Sequence, residues 1–351
     1  FRFTLAALAA QGRDIKLSED RIEGYRHFIN KLWNATRFSL MHLSDFDKDV
    51  SAGQGDQDLS LADRWILSRL SGLVETVTKS LDEYKFNDAA NALYQFVWHE
   101  FCDWYIEIIK PVLYAEPASE TSGGSEEPKS SGYETTRFVL WSVLNETVRL
   151  LHPFIPFVAE EIWDKLPCTE GSIMRAPFPG ISHERHDSAS EEAMKALIGV
   201  VSGIRNIRGE MNVPPALSLE AIVQSPDKDL RALLERHEAL IMNLSKLKSL
   251  EVAPPGERPP SSATSVSGSC TVFVSLKGII DIEREQGRLN KGIAKITKEL
   301  GGIGKKLTNE DFLQKAPQEV VDKVREKGER LEEKRSRLEE NLEKVSRLAE
   351  D

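Results

Sequence analysis

The sequence has few cysteines, no long apolar run and none of the loop motifs that mark common catalytic centres. Its three cysteines, Cys102, Cys168 and Cys270, are odd in number and far apart, with no CxxC pair. That spacing excludes a cysteine-based zinc site and fits a reducing compartment. No apolar stretch approaches the length needed to span a bilayer, so no membrane partner is expected. There is no GxxxxGK phosphate loop, no HExxH and no GxSxG elbow, and neither catalytic residues nor metal ligands are expected. His183 and His186, three apart in a polar loop, have no further ligands nearby and read as solvated. His99-Glu100 has the residue types for acid–base work but lies in an aromatic helical run and reads as structural, and His152 reads as a turn residue beside Pro153. Basic excess is also missing. With 46 Lys and Arg against 56 Asp and Glu the net charge is −10, so any contact with nucleic acid must come from local patches.

What is present is length, helical periodicity and a few uneven faces. A chain of 351 residues with 40% hydrophobic content fills a sizeable core and calls for at least two domains. It opens without Met, inside the apolar helical pattern FRFTLAALAA, and so reads as a piece of a longer polypeptide. Residues 20–41, DRIEGYRHFINKLWNATRFSLM, form the helix around which the rest is organised. At about 100° per residue, Ile22, Tyr25, Ile29, Leu32, Trp33, Thr36 and Leu40 share one face. Arg26, Asn30, Lys31, Asn34, Arg37 and Phe38 fall on the other, with no acid between Arg26 and Met41. Such a face suits two roles, packing against another helix or holding RNA through amides, cations and one aromatic ring that stacks on an unpaired base.

Further helices follow. Ser18 or Asp20 can cap the organising helix, and Ser60 with Asp63 resembles an acidic capping box opening a helix over 61–84. Asn87 or Asp88 caps the next, whose Trp98, Phe101, Trp104 and Tyr105 are mostly core residues and which Pro111 terminates. Residues 115–132, AEPASETSGGSEEPKSSG, have the composition of a disordered loop. Two more helices complete an all-α bundle, Pro156 starting the last. The next region reads as a small α/β unit with strands at 219–224, 250–253 and 271–276 and a second low-complexity loop at 254–269. From Ile282 onward the chain reads as a helical hairpin. Leu289, Ile293, Ile296, Leu300, Ile303 and Leu307 follow coiled-coil spacing, answered by Val321, Val324, Leu331, Leu338, Leu342 and Val345.

On the first helix of that hairpin, Arg284, Arg288, Lys291, Lys295 and Lys298 repeat the same spacing about 200° from the seam. Residues 282–307 carry seven Lys and Arg against three Glu, whereas a solvated coil face usually interleaves its signs. The stripe suits a phosphate backbone. Gly287, Gly292, Gly301, Gly302 and Gly304 weaken the helix, by about 1 kcal/mol each relative to Ala, and predict a flexible arm broken near Gly301-Gly302.

Several stretches resemble one family. RFTLAALAAQGRDIKLSEDRIEGYRHFINKLWNATRF is similar to the segment that follows the KMSKS loop in valyl-tRNA synthetases. FCDWYIEIIKP and HPFIPFVAEEIW resemble hallmarks of the anticodon-binding bundle shared by the class Ia synthetases. IRNIRGEMNVPP, LKGIIDIERE and LTNEDFLQKAPQEVV resemble the C-terminal domain of the valyl family. The cysteine-rich zinc tail of isoleucyl enzymes has no counterpart here, and HIGH and KMSKS motifs are absent from the chain. The resemblance implies a mainly α chain in four parts: residues 1–18 as the end of a connection to a catalytic domain, 19–184 as the anticodon-binding helical bundle, 185–280 as the small α/β domain, and 281–351 as a coiled-coil arm.

It also implies a tRNA-binding part of an enzyme that attaches valine to tRNA-Val using ATP and Mg²⁺, with no cofactor in this part and no aminoacylation by this part alone. Asn30, Lys31, Asn34, Arg37, Phe38 and Arg26 would then meet the anticodon loop, with Phe38 stacking on a base. Arg13 would touch the inner side of the tRNA, and Arg284, Arg288, Lys291, Lys295 and Lys298 its outer corner. The expected partners are tRNA-Val and the enzyme's own catalytic domain. The expected state is monomeric and cytoplasmic, with an organelle as the alternative compartment. The competing readings are an isoleucyl enzyme and a non-enzymatic helical scaffold for protein partners.

Overall fold

The computed structural model describes residues 1–9, 12, 14, 17–47, 59–115, 131–277, 282–309 and 318–350; the side chains of 131, 282–285, 319, 344 and 347–350 are not among those described. The chain divides into two compact units, Phe1–Lys195 and Ala196–Asp351.

The first unit is all helical among its described residues. It contains α1 (Arg2–Leu8), α2 (Glu19–His42), α3 (Leu61–Asp82), α4 (Phe86–Gln95), a π-helical stretch (Phe96–Tyr105), α5 (Ile106–Tyr114), α6 (Ser131–Leu151) and α7 (Pro156–Trp163). The start of α8 (Ser188–Glu210) also belongs to it. Ser18 caps α2 by accepting from the Arg21 amide at 3.4 Å. Ser60 and Asp63 cap α3 reciprocally: the Asp63 amide donates to Ser60 Oγ at 3.1 Å, and the Ser60 amide to Asp63 Oδ2 at 3.2 Å. Two backbone donors left over by the helix start are thereby satisfied. The Tyr105 hydroxyl then donates to Asp63 Oδ1 at 2.7 Å, tying the cap of α3 to the π-helical stretch. Burial pushes the Asp63 carboxyl above its ordinary value, while bonds from Ser60, Tyr105 and Thr136 pull it down.

The π-helical stretch follows from where the large side chains fall. Phe96, Phe101 and Tyr105 are all buried, at intervals of five and four residues. In an α-helix a step of five turns the face by about 140°; the wider π turn keeps the three rings on one side. Trp98 and Trp104, by contrast, are only half-buried. Pro111 does not end the helix as expected. It sits inside α5, which runs on to Tyr114. Residues 116–130, most of the expected disordered loop, lie outside the described residues, and Ser131 and Gly132 are already helical.

The helical run from Phe86 to Tyr114 lies alongside α2 in the same direction, because Tyr25 meets Tyr94, Lys31 meets Asp103, Phe38 meets Tyr114 and His42 meets Tyr114. The end of α2 is held from a third side by Arg137 of α6, a buried guanidinium. Its Nε donates to the His42 carbonyl at 2.8 Å and its Nη1 to Glu134 Oε1 at 3.0 Å, and it pairs also with Asp45.

The second unit holds the rest of α8 and a four-stranded sheet, where three strands were expected. The strands are β1 (Leu219–Gln224), β2 (Leu247–Ala253), β3 (Ser262–Ser267) and β4 (Cys270–Ser275), in the order β2-β1-β4-β3. β1 and β2 are parallel, joined by α9 (Lys228–Arg236) and α10 (Glu238–Ser245); the other two pairings are antiparallel. β3 lies in the stretch that composition assigned to a disordered loop. It pairs with β4 in a hairpin from Ser262↔Ser275 to Ser267↔Cys270, turning at Gly268, whose φ of 58° suits glycine. Its serines have a packing role. Ser265 and Ser267 face Gly203 and Gly199 of α8, where a methyl group would come within 3.0 and 2.2 Å of their hydroxyls. Small residues on both sides let helix and sheet approach closely.

The hairpin α11 (Ile282–Leu307) and α12 (Gln318–Glu350) completes this unit. Gln286 bonds Ser346 at 3.2 Å, Gly292 faces Leu338 and Gly328 faces Ile303, an antiparallel register. Leu289, Ile296, Val321 and Val345 are buried along the expected seam. α11 is continuous through Gly301-Gly302, so the expected break does not occur. Its seam packs against α12, and that tertiary contact outweighs a glycine cost of about 1 kcal/mol per residue.

Candidate nucleic-acid interface

The core-facing side of α2 is rotated from the expected one. Phe28, Leu32, Ala35, Thr36 and Ser39 are buried, whereas Ile22, Tyr25, Ile29, Trp33 and Leu40 are only half-buried. Ala35 and Ser39 count as small or polar in a hydropathy pattern, yet both are buried, and Ser39 Oγ donates to the Ala35 carbonyl at 2.9 Å within the helix. The opposite, solvent-facing stripe is Arg26, Asn30, Asn34, Arg37 and Met41, at intervals of four, four, three and four. It covers about 80° of the helix.

Of the six residues assigned to this face, four stand on the stripe. Asn30 and Asn34 are exposed and make no side-chain hydrogen bond among the described residues. Arg37 is exposed and unpaired on the same terms, and Arg26 bonds exposed Glu23 at 2.8 Å. The other two are corrected. Lys31 is half-buried, ion-paired with Asp103 and 4.1 Å from the centroid of the Trp98 ring. Its charge is therefore compensated within the bundle. Asp103 also stands 3.4 Å from His99 Nδ1, and the adjacent Cys102 thiol is pushed up to about 12 by burial, which makes it inert.

Phe38 is not the exposed ring that periodicity suggested. It is half-buried against His42 (4.9 Å between ring centroids) and Tyr114 (6.2 Å), with Lys110 Nζ 5.8 Å from its ring. The aromatic ring that does face solvent here is Tyr114, 61% exposed, with Met41 65% exposed on the stripe itself. Sequence reasoning missed both. Tyr114 is brought to α2 only by the long parallel packing, and Met41 lay at the assumed end of the helix. Arg13 lies outside the described residues.

On the arm, Arg288, Lys291, Lys295 and Lys298 are exposed, as the spacing required, and the side chain of Arg284 is outside those described. Lys291, Lys295 and Lys298 have no ion-pair partner among the described residues, and neither have Lys305 and Lys306. Arg288 is engaged in an interaction of its own. On α12, by contrast, arginines pair with glutamates of the same helix, as Arg335 does with Glu332 and Glu339. Two uneven surfaces thus emerge: amides and an unpaired cation on α2, and a row of unpaired lysines on α11 of the hairpin. Amides and guanidinium read base edges, while ammonium groups meet phosphates without regard to sequence.

Comparison with known proteins agrees with both. The sequence model described as the anticodon-binding domain of tRNA ligase matches residues 63–223, which defines the class. α2 precedes that match but packs on the helices within it. A second model, the valyl tRNA synthetase tRNA binding arm, matches residues 281–346. The valine–tRNA ligase of Syntrophotalea carbinolica is 47% identical over 350 residues, which is 99% of this chain and 38% of that protein. That of Geobacter sulfurreducens is 46% identical over 351 residues, again 99% and 38%, and that of Thermotoga maritima 42% identical over 327 residues, 93% and 35%. The chain belongs to the valine–tRNA ligase family. It spans 38% of the length of the first two of these relatives and covers their tRNA-binding region.

Proposed function

We propose that this chain grips tRNA-Val as the RNA-binding part of an enzyme that joins valine to that tRNA with ATP and Mg²⁺, the chemistry being carried by the part of the enzyme upstream. In this reading α2 faces the anticodon loop with Asn30, Asn34, Arg37 and Arg26, and the arm lies on the outer corner of the tRNA with Lys291, Lys295, Lys298 and Arg288. The observation that carries it is the exposed stripe from Arg26 to Met41 on α2, free of acids and with Asn30, Asn34 and Arg37 unpartnered among the described residues, packed on a bundle that matches an anticodon-binding domain. Exposed stripes of that length on an acidic protein otherwise interleave glutamate.

The test is binding of the chain to tRNA-Val transcripts with intact and altered anticodons, with tRNA-Ile as comparison. Tighter binding to intact tRNA-Val, weakened by Arg37→Ala in proportion to the anticodon change, is the expected result. Equal affinity for all three RNAs would remove the anticodon-reading role and leave only a general phosphate grip.

A further inference from the structure

The α2 stripe supplies hydrogen-bonding groups and charge but no flat surface, and an unpaired base needs one to lie on. Phe38, half-buried, has part of its ring covered by its neighbours. Beside it three rings form a block: Phe38 and His42 at 4.9 Å, His42 and Tyr114 at 5.0 Å with planes at 85°, and Phe38 and Tyr114 at 6.2 Å with planes at 61°. Edge-to-face pairs at these distances hold one another's orientation. His42 is fixed further by the Arg137 bond to its carbonyl, and its Nε2 is buried with no hydrogen-bond partner among the described residues. Burial and the Arg137 charge push the imidazole below its ordinary value, so the block is uncharged at neutral pH.

One member of the block reaches solvent. Tyr114 is 61% exposed at the end of α5, against Phe38 and His42, the residues that follow Arg37 and Met41 along α2. We propose that Tyr114 is the outer stacking surface of this site. An unpaired base of the bound RNA lies on the exposed face of its ring, and Phe38 and His42 serve as its aromatic footing. This rests on the RNA-binding reading above. The occupant is a nucleobase rather than an apolar protein side chain because Phe38, which the ring meets, is flanked on α2 by Arg37 and, one turn earlier, by Asn34, both exposed and without a side-chain partner among the described residues, and these complement an anionic, hydrogen-bonding partner.

The experiment uses the full chain and an anticodon stem-loop of tRNA-Val carrying 2-aminopurine at each unpaired loop position in turn, a base whose fluorescence falls when it stacks. Wild type should quench one position. Tyr114→Ala should abolish that quench and weaken binding roughly 5- to 150-fold, the range for loss of one base–aromatic stack. Tyr114→Phe and Tyr114→Trp should keep both, which separates the ring from the hydroxyl and from folding. A Tyr114→Ala protein that binds and quenches like wild type would overturn the proposal and leave the proposed function standing. Failure of wild type to bind either the stem-loop or intact tRNA-Val would overturn the function and this proposal with it.

Discussion

Replacing Lys291, Lys295 and Lys298 together by Gln removes the three unpaired charges that form the middle of the arm's stripe, while leaving helix propensity and the α11–α12 seam nearly untouched. Each phosphate neutralised by a lysine steepens the log–log dependence of affinity on salt by about 0.7 to 0.9. Three such contacts therefore contribute a slope of about −2 to −3. Between about 50 and 200 mM salt, that portion amounts to a loss of roughly 16- to 64-fold, which the triple variant should no longer show. Arg288 is left in place because it already has an interaction within the protein. The assay is tRNA-Val binding by filter retention or anisotropy over a salt series, with circular dichroism to confirm that α11 stays helical. A control variant, Lys327→Gln with Lys334→Gln, removes cations from α12, where glutamates alternate with them, and should leave the slope unchanged. Equal slopes for wild type and the triple variant would refute the argument, because counterion release depends on charges that meet phosphates and on nothing else in the arm.

Two predictions concern the bundle that presents α2. Arg137→Ala removes a buried guanidinium that holds Glu134, Asp45 and the His42 carbonyl, and breaking a buried pair costs about 3 kcal/mol or more. For a unit of this size that lowers the melting temperature by about 6–12 °C. All six tryptophans lie in the first unit, so intrinsic fluorescence follows that unit alone, and a shift under 2 °C would contradict the assignment. Asp63 has its folded-state value raised, so the native state holds its proton more tightly than the unfolded chain. Its contribution to stability is greatest in acid and declines as pH climbs from the ordinary carboxylate value through the folded one. Denaturant titrations of wild type and Asp63→Asn across that window should show wild type losing ground to the variant as pH rises, and a constant difference would count against it.

Much of this was legible in the residues. The capping box at Ser60 and Asp63, the coil seam from Leu289 to Val345 and the lysine stripe all rest on spacing within one element, and the structure shows them as read. The misreadings share a cause, which is that they depend on what lies opposite. The face of α2 was misplaced because its buried positions include Ala35 and Ser39, small residues that carry little weight in a hydropathy pattern. β3 was invisible because its inward residues are serines fitted to Gly199 and Gly203 of a helix some sixty residues earlier. Lys31 looked free until Asp103 and Trp98 arrived from a parallel helix. Gly301 and Gly302 would weaken an isolated helix, but α11 is continuous through them and buries Leu289 and Ile296 along the seam with α12.

The parallel alignment of α2 with the run from Phe86 to Tyr114 also bears on the order of folding. Neighbouring helices in sequence usually form antiparallel hairpins and dock as soon as both exist. α2 cannot do so. Besides Phe3 of α1, its partners stand 72 residues away at Asp103 and 95 away at Arg137, so its seating waits for the run from Phe86 to Tyr114 and for α6. Closure over such separations slows docking. α2 is thus made before the helices that seat it, and its exposed stripe is set in place only once the bundle behind it has formed.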